Sequence, residues 1–285
     1  MSKIAIITDT DSSIPLSLAA QKSIEQVPIL VQFGEESFRA VFDIDDEKTF
    51  SRIDSLGKIP TTSAPSPGHF LEAFKKAFAN GAEGILCLTV SSEVSATYQA
   101  AVSASRDFPS REITVVDTRN LSMAQGFQVL YAADAINRGA TLVEAARIAK
   151  SVGERTHFFA ALSTLKYLAM SGRIGHLAAG FANLLNVKPI LTIKNGKLEM
   201  LERVRTQSKA MGRLIELTAE TSAGRSIERM AIAHVAAVKS AMDFEAQLRK
   251  SIRCPAEILH CELTPGLSVH SGAGLVGVGI VLGDS

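Results

Sequence analysis

Two hydroxyl-rich segments contain the residues of this sequence that are best suited to bind an anion. The first, residues 60–68, has four hydroxyl side chains and three prolines in nine positions and precedes an amphipathic helix. Proline fixes the backbone φ angle and removes a hydrogen-bond donor, so this segment is stiff. The second, residues 91–97, follows the next apolar, strand-like run. Because both lie on successive strand-to-helix connections, we expect them to face the same end of a sheet and to form two sides of one anion site.

Helix capping is the simpler explanation of the second segment. Serine and threonine are common N-cap residues, and capping alone accounts for a cluster of them before a helix. The candidate hydroxyl groups in the two segments are those of Thr61, Thr62, Ser63, Ser91, Ser92, Ser95 and Thr97. No GxSxG motif surrounds the serines, and no His–Asp pair accompanies them. The pattern therefore does not predict an acyl-transfer triad.

A different chemistry is indicated by Asp9 and Asp11, which follow the first apolar segment. Their DxD spacing resembles the start of haloacid-dehalogenase-type phosphotransferases, where the first carboxylate is the nucleophile and the second an acid/base. That chemistry also requires Mg²⁺ and a later acidic pair, because the metal neutralises charge that develops during phosphoryl transfer. The chain has no GDxxxD segment, and helix capping is the simpler role for these carboxylates. A Mg²⁺-dependent phosphotransferase using Asp9 and Asp11 stays open as an alternative.

Polar residues at the ends of later strand-like segments are further candidates. His270 lies in a glycine-flanked stretch, where the sequence is equally compatible with a ligand contact and a structural role. Arg203 and Arg205 end a predicted strand, and alternation places both on one face, where either could be a solvated surface charge. The histidines show no metal-ligand spacing, so no metal site is predicted.

The elements that must position these residues alternate between strand and helix along the chain, which is typical of a doubly wound α/β fold. Residues 3–8 predict a buried parallel strand, residues 15–24 a helix, and residues 26–33 and 37–42 a hairpin. We place a boundary near Arg155. The predicted organisation is then an N-terminal α/β domain of residues 1–155 and a C-terminal α/β domain of residues 156–285.

Three later patterns are specific. Thr141 and Glu144 form a capping box at the start of a helix. Asn195-Gly196 is the strongest short hairpin signal in the chain. Residues 263–283 contain no Asp, Glu, Lys or Arg but have six glycines. They therefore predict a glycine loop and a strand over residues 275–282 rather than a membrane span.

Composition and charge exclude several classes of protein. The chain has 285 residues, and 46% of them are apolar, which is ample for a hydrophobic core. Its net charge of +1 gives no general attraction to nucleic acid. Tryptophan is absent and only three tyrosines occur, so a base-stacking surface is not expected. The three cysteines have no CxxC spacing and fit core positions in a reducing compartment. With no recognisable signal peptide, we expect a soluble, cytoplasmic protein.

The segments together resemble the DegV family of fatty-acid-binding proteins, which act as the FakB subunits of bacterial fatty acid kinase. Nine motifs match in order over nearly the whole chain, and although each is weak alone, the ordered set is highly specific. They are Thr8-Asp9-Thr10-Asp11-Ser12, Pro60-Thr61-Thr62-Ser63-Ala64-Pro65, Ser91-Ser92-Glu93-Val94-Ser95-Ala96-Thr97-Tyr98, Val116-Asp117-Thr118, Ser171-Gly172-Arg173-Ile174, Val187-Lys188-Pro189-Ile190-Leu191, Val204-Arg205-Thr206, Ala233-His234 and His270-Ser271-Gly272-Ala273-Gly274.

The resemblance implies a two-domain α/β fold, with sheets flanked by helices and a long-chain fatty acid in an apolar tunnel between the domains. It also implies which residues bind the carboxylate. These are Thr62 with its neighbour Ser63, Ser95 with its neighbour Ala96, and in addition Arg205 and His270. The family usually has glycine where Ala96 stands, so here a methyl group enters the binding loop. No cofactor or metal is implied beyond the bound fatty acid.

The resemblance further implies that the chain is a lipid-binding subunit and not an enzyme by itself. A separate, ATP-dependent fatty acid kinase subunit would phosphorylate the presented carboxylate to an acyl phosphate. Arg173 would contribute to kinase docking, although the family's Gly-Gly-Arg turn reads Ser171-Gly172-Arg173 here. Transient membrane contact is also implied, and nucleic acid is not a partner. A lipid sensor that works without a kinase would share every one of these residues and is a second alternative.

Overall fold

The computed structural model of the chain describes residues 3–171 and 187–284, and in them the strands form three sheets. The strands are β1 (Ile4–Asp9), β2 (Ile24–Val27), β3 (Leu30–Phe33), β4 (Glu36–Arg39), β5 (Thr61–Ser63), β6 (Gly84–Thr89), β7 (Glu112–Asp117), β8 (Thr156–Ala161), β9 (Lys188–Lys194), β10 (Lys197–Val204), β11 (Ile227–His234), β12 (Leu259–Glu262) and β13 (Val276–Leu282). The α-helices are α1 (Leu16–Gln21), α2 (Asp46–Leu56), α3 (Pro67–Ala79), α4 (Thr97–Ser105), α5 (Ser122–Asn137), α6 (Leu142–Glu154), α7 (Lys166–Met170), α8 (Gln207–Ser222), α9 (Val238–Ser251) and α10 (Pro265–Ser271). The predicted mixed α/β fold is confirmed.

The first sheet is parallel throughout, in the order β2-β1-β6-β7. Every residue of β6 is buried, as expected for a short apolar strand that helices cover on both faces. Helices α3 and α4 pack on one face, and α5 and α6 on the other. Because the strands are parallel, the carboxyl ends of β1 and β6 lie at one edge, where the segment of residues 91–97 begins.

The second sheet has six strands in the order β10-β9-β8-β13-β11-β12. Its pairs are antiparallel except for β11 with β12. The predicted hairpin at Asn195-Gly196 joins β9 to β10 and is confirmed. Both turn residues have positive φ, which glycine and asparagine tolerate best. The strands of this sheet follow residue 155 and those of the first sheet precede it; the division into two domains stays a prediction.

The third sheet is a small antiparallel one, in the order β4-β3-β5, and it corrects two expectations. The strand predicted over residues 26–33 is two strands in different sheets, separated at Pro28, which has no N–H for a continuous ladder. Thr61, Thr62 and Ser63 form β5 of this sheet. The sequence had indicated that they lie on a strand-to-helix connection of the parallel sheet, and this prediction is wrong.

Two helices also differ from expectation. The helix predicted over residues 15–24 ends at Gln21, because Ser23 adopts a positive φ of 54° and β2 begins at the next residue. The predicted glycine loop contains the seven-residue helix α10, which begins with Pro265 at its first position. It ends at Ser271, and the next residue, Gly272, has a φ of +79° and is so close to Tyr167 that a Cβ would lie 2.4 Å from the ring. The strand over residues 275–282 is confirmed as β13.

The largest apolar cluster lies between the two larger sheets and is centred on α5. This helix is buried around nearly its whole circumference because it contacts both sheets. Residues Phe158, Ala160 and Leu162 of β8 and its continuation face this cluster. The alternate residues Phe159 and Ala161 face α8 and α9 on the other side of the sheet. Successive side chains of β8 point to opposite faces of the sheet, so this strand lies between two hydrophobic cores.

Within residues 3–171 and 187–284, no helix combines the length and apolar character needed to cross a bilayer. The uncharged stretch of residues 263–283 contains the short helix α10 and the strand β13. The strand was predicted from the sequence, and the helix was not.

The capping box at the start of α6 gives a direct test of the fold. The Thr141 hydroxyl accepts a hydrogen bond from the Glu144 backbone N–H at 3.3 Å, and the Glu144 carboxylate accepts one from the Thr141 N–H at 2.8 Å. We expect Thr141→Ala to lower the free energy of unfolding by about 1 kcal/mol, measured by chemical denaturation. Val143→Ala, at an exposed position of the same turn, is the control and should change it by less than about 0.5 kcal/mol. Equal stability of both variants would contradict this role.

Candidate functional site

A cavity of about 260 Å³ lies where the three sheets meet. Most of its lining is apolar and comes from both halves of the chain. The apolar lining residues are Ile29, Ala64, Val94, Ala96, Leu121, Phe158, Ala160, Leu162, Leu168, Leu191, Leu198, Leu263, Leu267 and Leu275. The polar lining residues are fewer and include Asp11, Thr62, Ser63, Ser95, Thr192, His270 and Ser271. A cavity of this kind suits a ligand that is mainly hydrocarbon with one polar group.

The structure brings together two predicted residues that are 208 positions apart. The hydroxyl of Thr62, on β5, is 2.8 Å from Nε2 of His270, on α10. His270 is buried and Thr62 half-buried, and both line the cavity. Ser63 follows Thr62 and lines the cavity as well. The polar end of the cavity therefore has a hydroxyl and an imidazole in direct contact.

The loop that precedes α4 adds Ser95 and Ala96 to the cavity wall. The Ser95 hydroxyl is 2.7 Å from that of Thr97 and accepts a hydrogen bond from the Thr97 N–H at 3.3 Å. The N-cap of α4 is Ala96, so Ser95 is not the capping residue that the simpler interpretation predicted, and its side chain lines the cavity. Ala96 has φ of −78°, an ordinary value for any L-residue, so its methyl group causes no backbone strain.

The buried carboxylate of Asp9 holds this end of the parallel sheet together. One oxygen accepts a hydrogen bond from the Val90 N–H at 2.7 Å. The other accepts from the Asp11 N–H at 3.0 Å and from the Gln125 side chain at 3.2 Å. Burial raises the pKa of Asp9 to about 6, and these hydrogen bonds act in the opposite direction. Asp9 is therefore a structural link between β1, the loop after β6 and α5.

This geometry does not support the phosphotransferase interpretation. Both oxygens of Asp9 are engaged with the protein, and the residue has no exposed surface for an incoming phosphoryl group. Asp11 lines the cavity, and the Thr264 hydroxyl donates to it at 3.5 Å. Among the residues that the structure describes, no three His, Cys, Asp or Glu side chains are grouped so that they could hold a metal ion.

The hairpin β9–β10 fastens the Ser95 loop to the six-stranded sheet. The Ser91 hydroxyl donates to the Gly196 carbonyl at 2.7 Å, and Arg119 donates to the Asn195 carbonyl. Gly196 has φ of +82°, and a Cβ there would lie 2.6 Å from the Ser91 oxygen, so glycine is required for this close approach. Leu198, two residues further, lines the cavity. The turn therefore positions one wall of the cavity against the loop that carries Ser95.

Helix α10, which carries His270, is positioned by a residue that sequence reasoning missed. The Ser268 hydroxyl donates to Oδ1 of Asp46 at 2.5 Å. Asp46 is only 2% exposed, and its burial raises the pKa of its carboxyl to about 8. An aspartate at the start of α2 looks like an ordinary helix-start residue, so the sequence had no signal for this contact. On the other side, Gly266 allows α10 to pack so closely that a Cβ would lie 2.3 Å from Asp11.

Arg205 is not brought to the cavity. Val204 pairs with Lys188, whose ammonium donates to the Ser163 carbonyl at 2.8 Å. Arg205 therefore lies at the same end of the sheet as Ser163. One strand, β9, lies between them, so their backbones are separated by two strand spacings, ~10 Å. It is exposed and is not a lining residue. Arg173, the predicted docking residue, lies outside the described residues.

Comparison with known proteins agrees with this architecture. Residues 3–282 match the model of the DegV family, described as uncharacterised proteins. A DegV domain-containing protein of Streptomyces coelicolor is 34% identical over 275 residues, which cover 96% of this chain and 97% of the relative. A structure entitled fatty acid binding of a DegV family protein, from Thermus thermophilus, has a TM-score of 0.92 at 28% identity and covers 98% of this chain and 99% of that chain. A DegV lipid binding protein from Thermotoga maritima has a TM-score of 0.88 at 27% identity, with 98% of each chain covered.

The Asp46–Ser268 contact predicts a pH dependence of stability. Because the folded protein keeps the Asp46 proton up to about pH 8 and an unfolded chain releases it near pH 4, the folded state binds more protons between these values. The free energy of unfolding therefore falls as the pH rises through this range. Relative to Asp46→Asn, we expect the wild type to lose up to about 1.4 kcal/mol per pH unit between pH 5 and 7, measured by chemical denaturation.

Ser268→Ala is the control for this experiment, since it removes the hydrogen bond and leaves the carboxyl in place. It should be less stable at each pH and keep the slope of the wild type. Parallel pH profiles of the wild type and Asp46→Asn would show that Asp46 is not a buried, protonated group.

Proposed function

Since this chain belongs to the DegV family, we propose that it binds a long-chain fatty acid in the cavity and presents the carboxylate to a partner kinase. The observation that carries the proposal is the Thr62–His270 contact in the wall of a mainly apolar cavity. The similar structure from Thermus thermophilus, described as a DegV family protein with fatty acid binding, supports the class of ligand.

The two ends of a fatty acid have opposite requirements, and the cavity meets both. Each buried CH₂ contributes about 0.8 kcal/mol, so a sixteen-carbon chain offers about 12 kcal/mol before the costs of ordering and desolvation. An ionised carboxylate opposes burial unless it accepts hydrogen bonds. The hydroxyls of Thr62 and Ser95 and the imidazole of His270 line the cavity and are of types that can donate hydrogen bonds to a carboxylate. These three groups are the proposed carboxylate ligands, with Ser63 and Ala96 shaping the same wall.

The partner supplies the phosphoryl group in this proposal. Thr62, Ser63 and Ser95 are half-buried and Ala96 is exposed, so the polar end is open towards solvent. A carboxylate oxygen of the bound acid attacks the γ-phosphorus of ATP held by the kinase. The bond to the β–γ bridging oxygen breaks, and an acyl phosphate and ADP are formed. Because the nucleophile is an oxygen of the fatty acid, the role of this chain is to bind and orient that acid. Arg173 is the proposed residue for docking of the kinase. The chain would obtain the fatty acid through transient contact with a membrane.

Loss of single donors tests the carboxylate site. We expect Thr62→Ala, Ser95→Ala and His270→Ala each to weaken the binding of a long-chain fatty acid by about 10–100-fold, because hydrogen bonds to a charged group contribute about 1.5–3 kcal/mol. Binding is measured by calorimetry with delipidated protein, after the co-purified lipid has been identified by mass spectrometry. Thr61→Ala is the control, since Thr61 is exposed and its hydroxyl bonds to Gln32 at 3.3 Å, away from the cavity. Unchanged affinity in all three variants would contradict the proposed site.

A second experiment tests the kinase partnership and the place of Arg205. With a bacterial fatty acid kinase subunit and ATP, the loaded wild type should yield acyl phosphate, and Arg173→Ala should lower the rate without lowering the affinity for the fatty acid. Arg205→Ala should bind fatty acid within about twofold of wild type, because Arg205 is exposed and outside the lining. Normal fatty acid binding with no acyl phosphate would favour a lipid sensor that works without a kinase.

A further inference from the structure

We propose that a second cleft of this protein, lined by Ser13 and Asp46, binds a small organic ammonium ion. The cleft has a volume of about 280 Å³, and its lining comes from residues 13–16, from residues 41, 45 and 46, and from residues 260–265. In the part of the chain that the structure describes, Leu263 is the only lining residue that this cleft shares with the fatty-acid cavity. The proposed ammonium site is therefore separate from the fatty-acid site and does not depend on it.

Two deeply buried side chains of the lining have an oxygen without a hydrogen-bond partner among the described residues. Ser13 is only 2% exposed, and its hydroxyl is unpartnered. Asp46 is equally buried, and Oδ1 accepts from Ser268 while Oδ2 is unpartnered. A buried polar group without a partner is destabilising, and most such groups in folded proteins have one. Because both residues line the cleft, a hydrogen-bond donor bound there supplies the missing partner of each oxygen.

The charge of the lining favours a cationic donor. The carboxyl groups of Asp45, Asp46 and Glu262 line the cleft, and none of its described lining residues is a lysine or an arginine. Burial raises the pKa of Asp46 to about 8, and the charges of Glu262 and Asp45 act in the same direction, against the hydrogen bond from Ser268. A cation in the cleft would therefore stabilise the ionised form of Asp46.

The basic side chains near these carboxyl groups leave Asp46 without an ion pair within residues 3–171 and 187–284. Each of them has a different acidic partner. The partners are Asp45 for Lys48 at 3.7 Å, Glu262 for His234 at 3.9 Å and Glu245 for His260 at 2.5 Å. Burial also lowers the pKa of His234, so this residue is neutral at pH 7. The protein itself thus provides no cation for Asp46.

An organic ammonium ion suits the cleft better than a metal ion does. No three His, Cys, Asp or Glu side chains of the described segments are grouped so that they could hold a metal. An ammonium group has three N–H donors, and the Ser13 hydroxyl and Oδ2 of Asp46 can each accept one of them. The side chains of Ile14, Leu16 and Val41 add apolar surface to the same lining, which suits a short hydrocarbon body.

Butylammonium is the probe, titrated by calorimetry into the full chain at pH 7, with butanol and butyrate as controls of the same length. The wild type should bind butylammonium at least about tenfold more tightly than either control, because only the ammonium donates a charged hydrogen bond to Asp46. Asp46 is mostly protonated at pH 7, so binding should release up to one proton, measured from the dependence of the enthalpy on the buffer's heat of ionisation. The affinity should therefore rise with pH, by up to about tenfold per unit below pH 8.

Two variants and one matched control assign the binding to this cleft. Asp46→Asn should weaken butylammonium binding by about 10–100-fold and abolish the proton release. Ser13→Ala should weaken it by about 3–10-fold and keep the proton release. Ser12→Ala is the control, because Ser12 is the adjacent residue, is fully buried and also has an unpartnered hydroxyl, but does not line the cleft. It should bind butylammonium as the wild type does.

Equal affinity of the wild type for butylammonium and butyrate, or no binding of butylammonium, would overturn this inference. It would also be overturned if Asp46→Asn and Ser13→Ala both bound the amine as tightly as the wild type. Because no fatty acid enters the experiment, each of these results would leave the proposed fatty-acid binding unaffected.

Discussion

The buried carboxylate of Asp9 is the interaction on which the polar end of the cavity depends. It accepts hydrogen bonds from the main chain of Val90 and Asp11 and from the side chain of Gln125. Burying a carboxylate is costly, and its raised pKa of about 6 reflects this cost, which the three hydrogen bonds partly offset. One group therefore fixes both the start of the loop that carries Ser95 and the turn against which α10 packs.

Around this link, three sheets contribute different parts of one cavity. The parallel sheet supplies the loop with Ser95, the small sheet supplies Thr62, and the six-stranded sheet supplies the apolar wall and, through α10, His270. Contacts between these parts are polar and close, such as Ser91 with Gly196 and Asp46 with Ser268. Polar links at the edges leave the interior apolar, and this separation allows one site to take a ligand with a charged end and a hydrocarbon end.

The errors of sequence-based prediction have local physical causes. Pro28 interrupts what the apolar pattern presents as one strand, and its two parts pair in different sheets. Helix α10 was expected to be a loop because its seven residues are too few for a periodic pattern and include Gly266, which weakens a helix. That glycine is explained by the nearby Asp11, a contact between distant parts of the chain. Short elements held by tertiary contacts are therefore the ones that local patterns miss.

The sequence by itself determined the alternating α/β order, the Asn195-Gly196 hairpin and the hydroxyl-rich segments, because these depend on periodicity and turn chemistry within a few residues. Its resemblance to the DegV family further implied Thr62, Ser95 and His270 as carboxylate ligands. Only the tertiary structure decided that Thr62 and His270 touch and that Arg205 stands exposed. The physical reason is that a cavity belongs to no single segment: its shape follows from strand register and from the packing of side chains that are far apart in the chain.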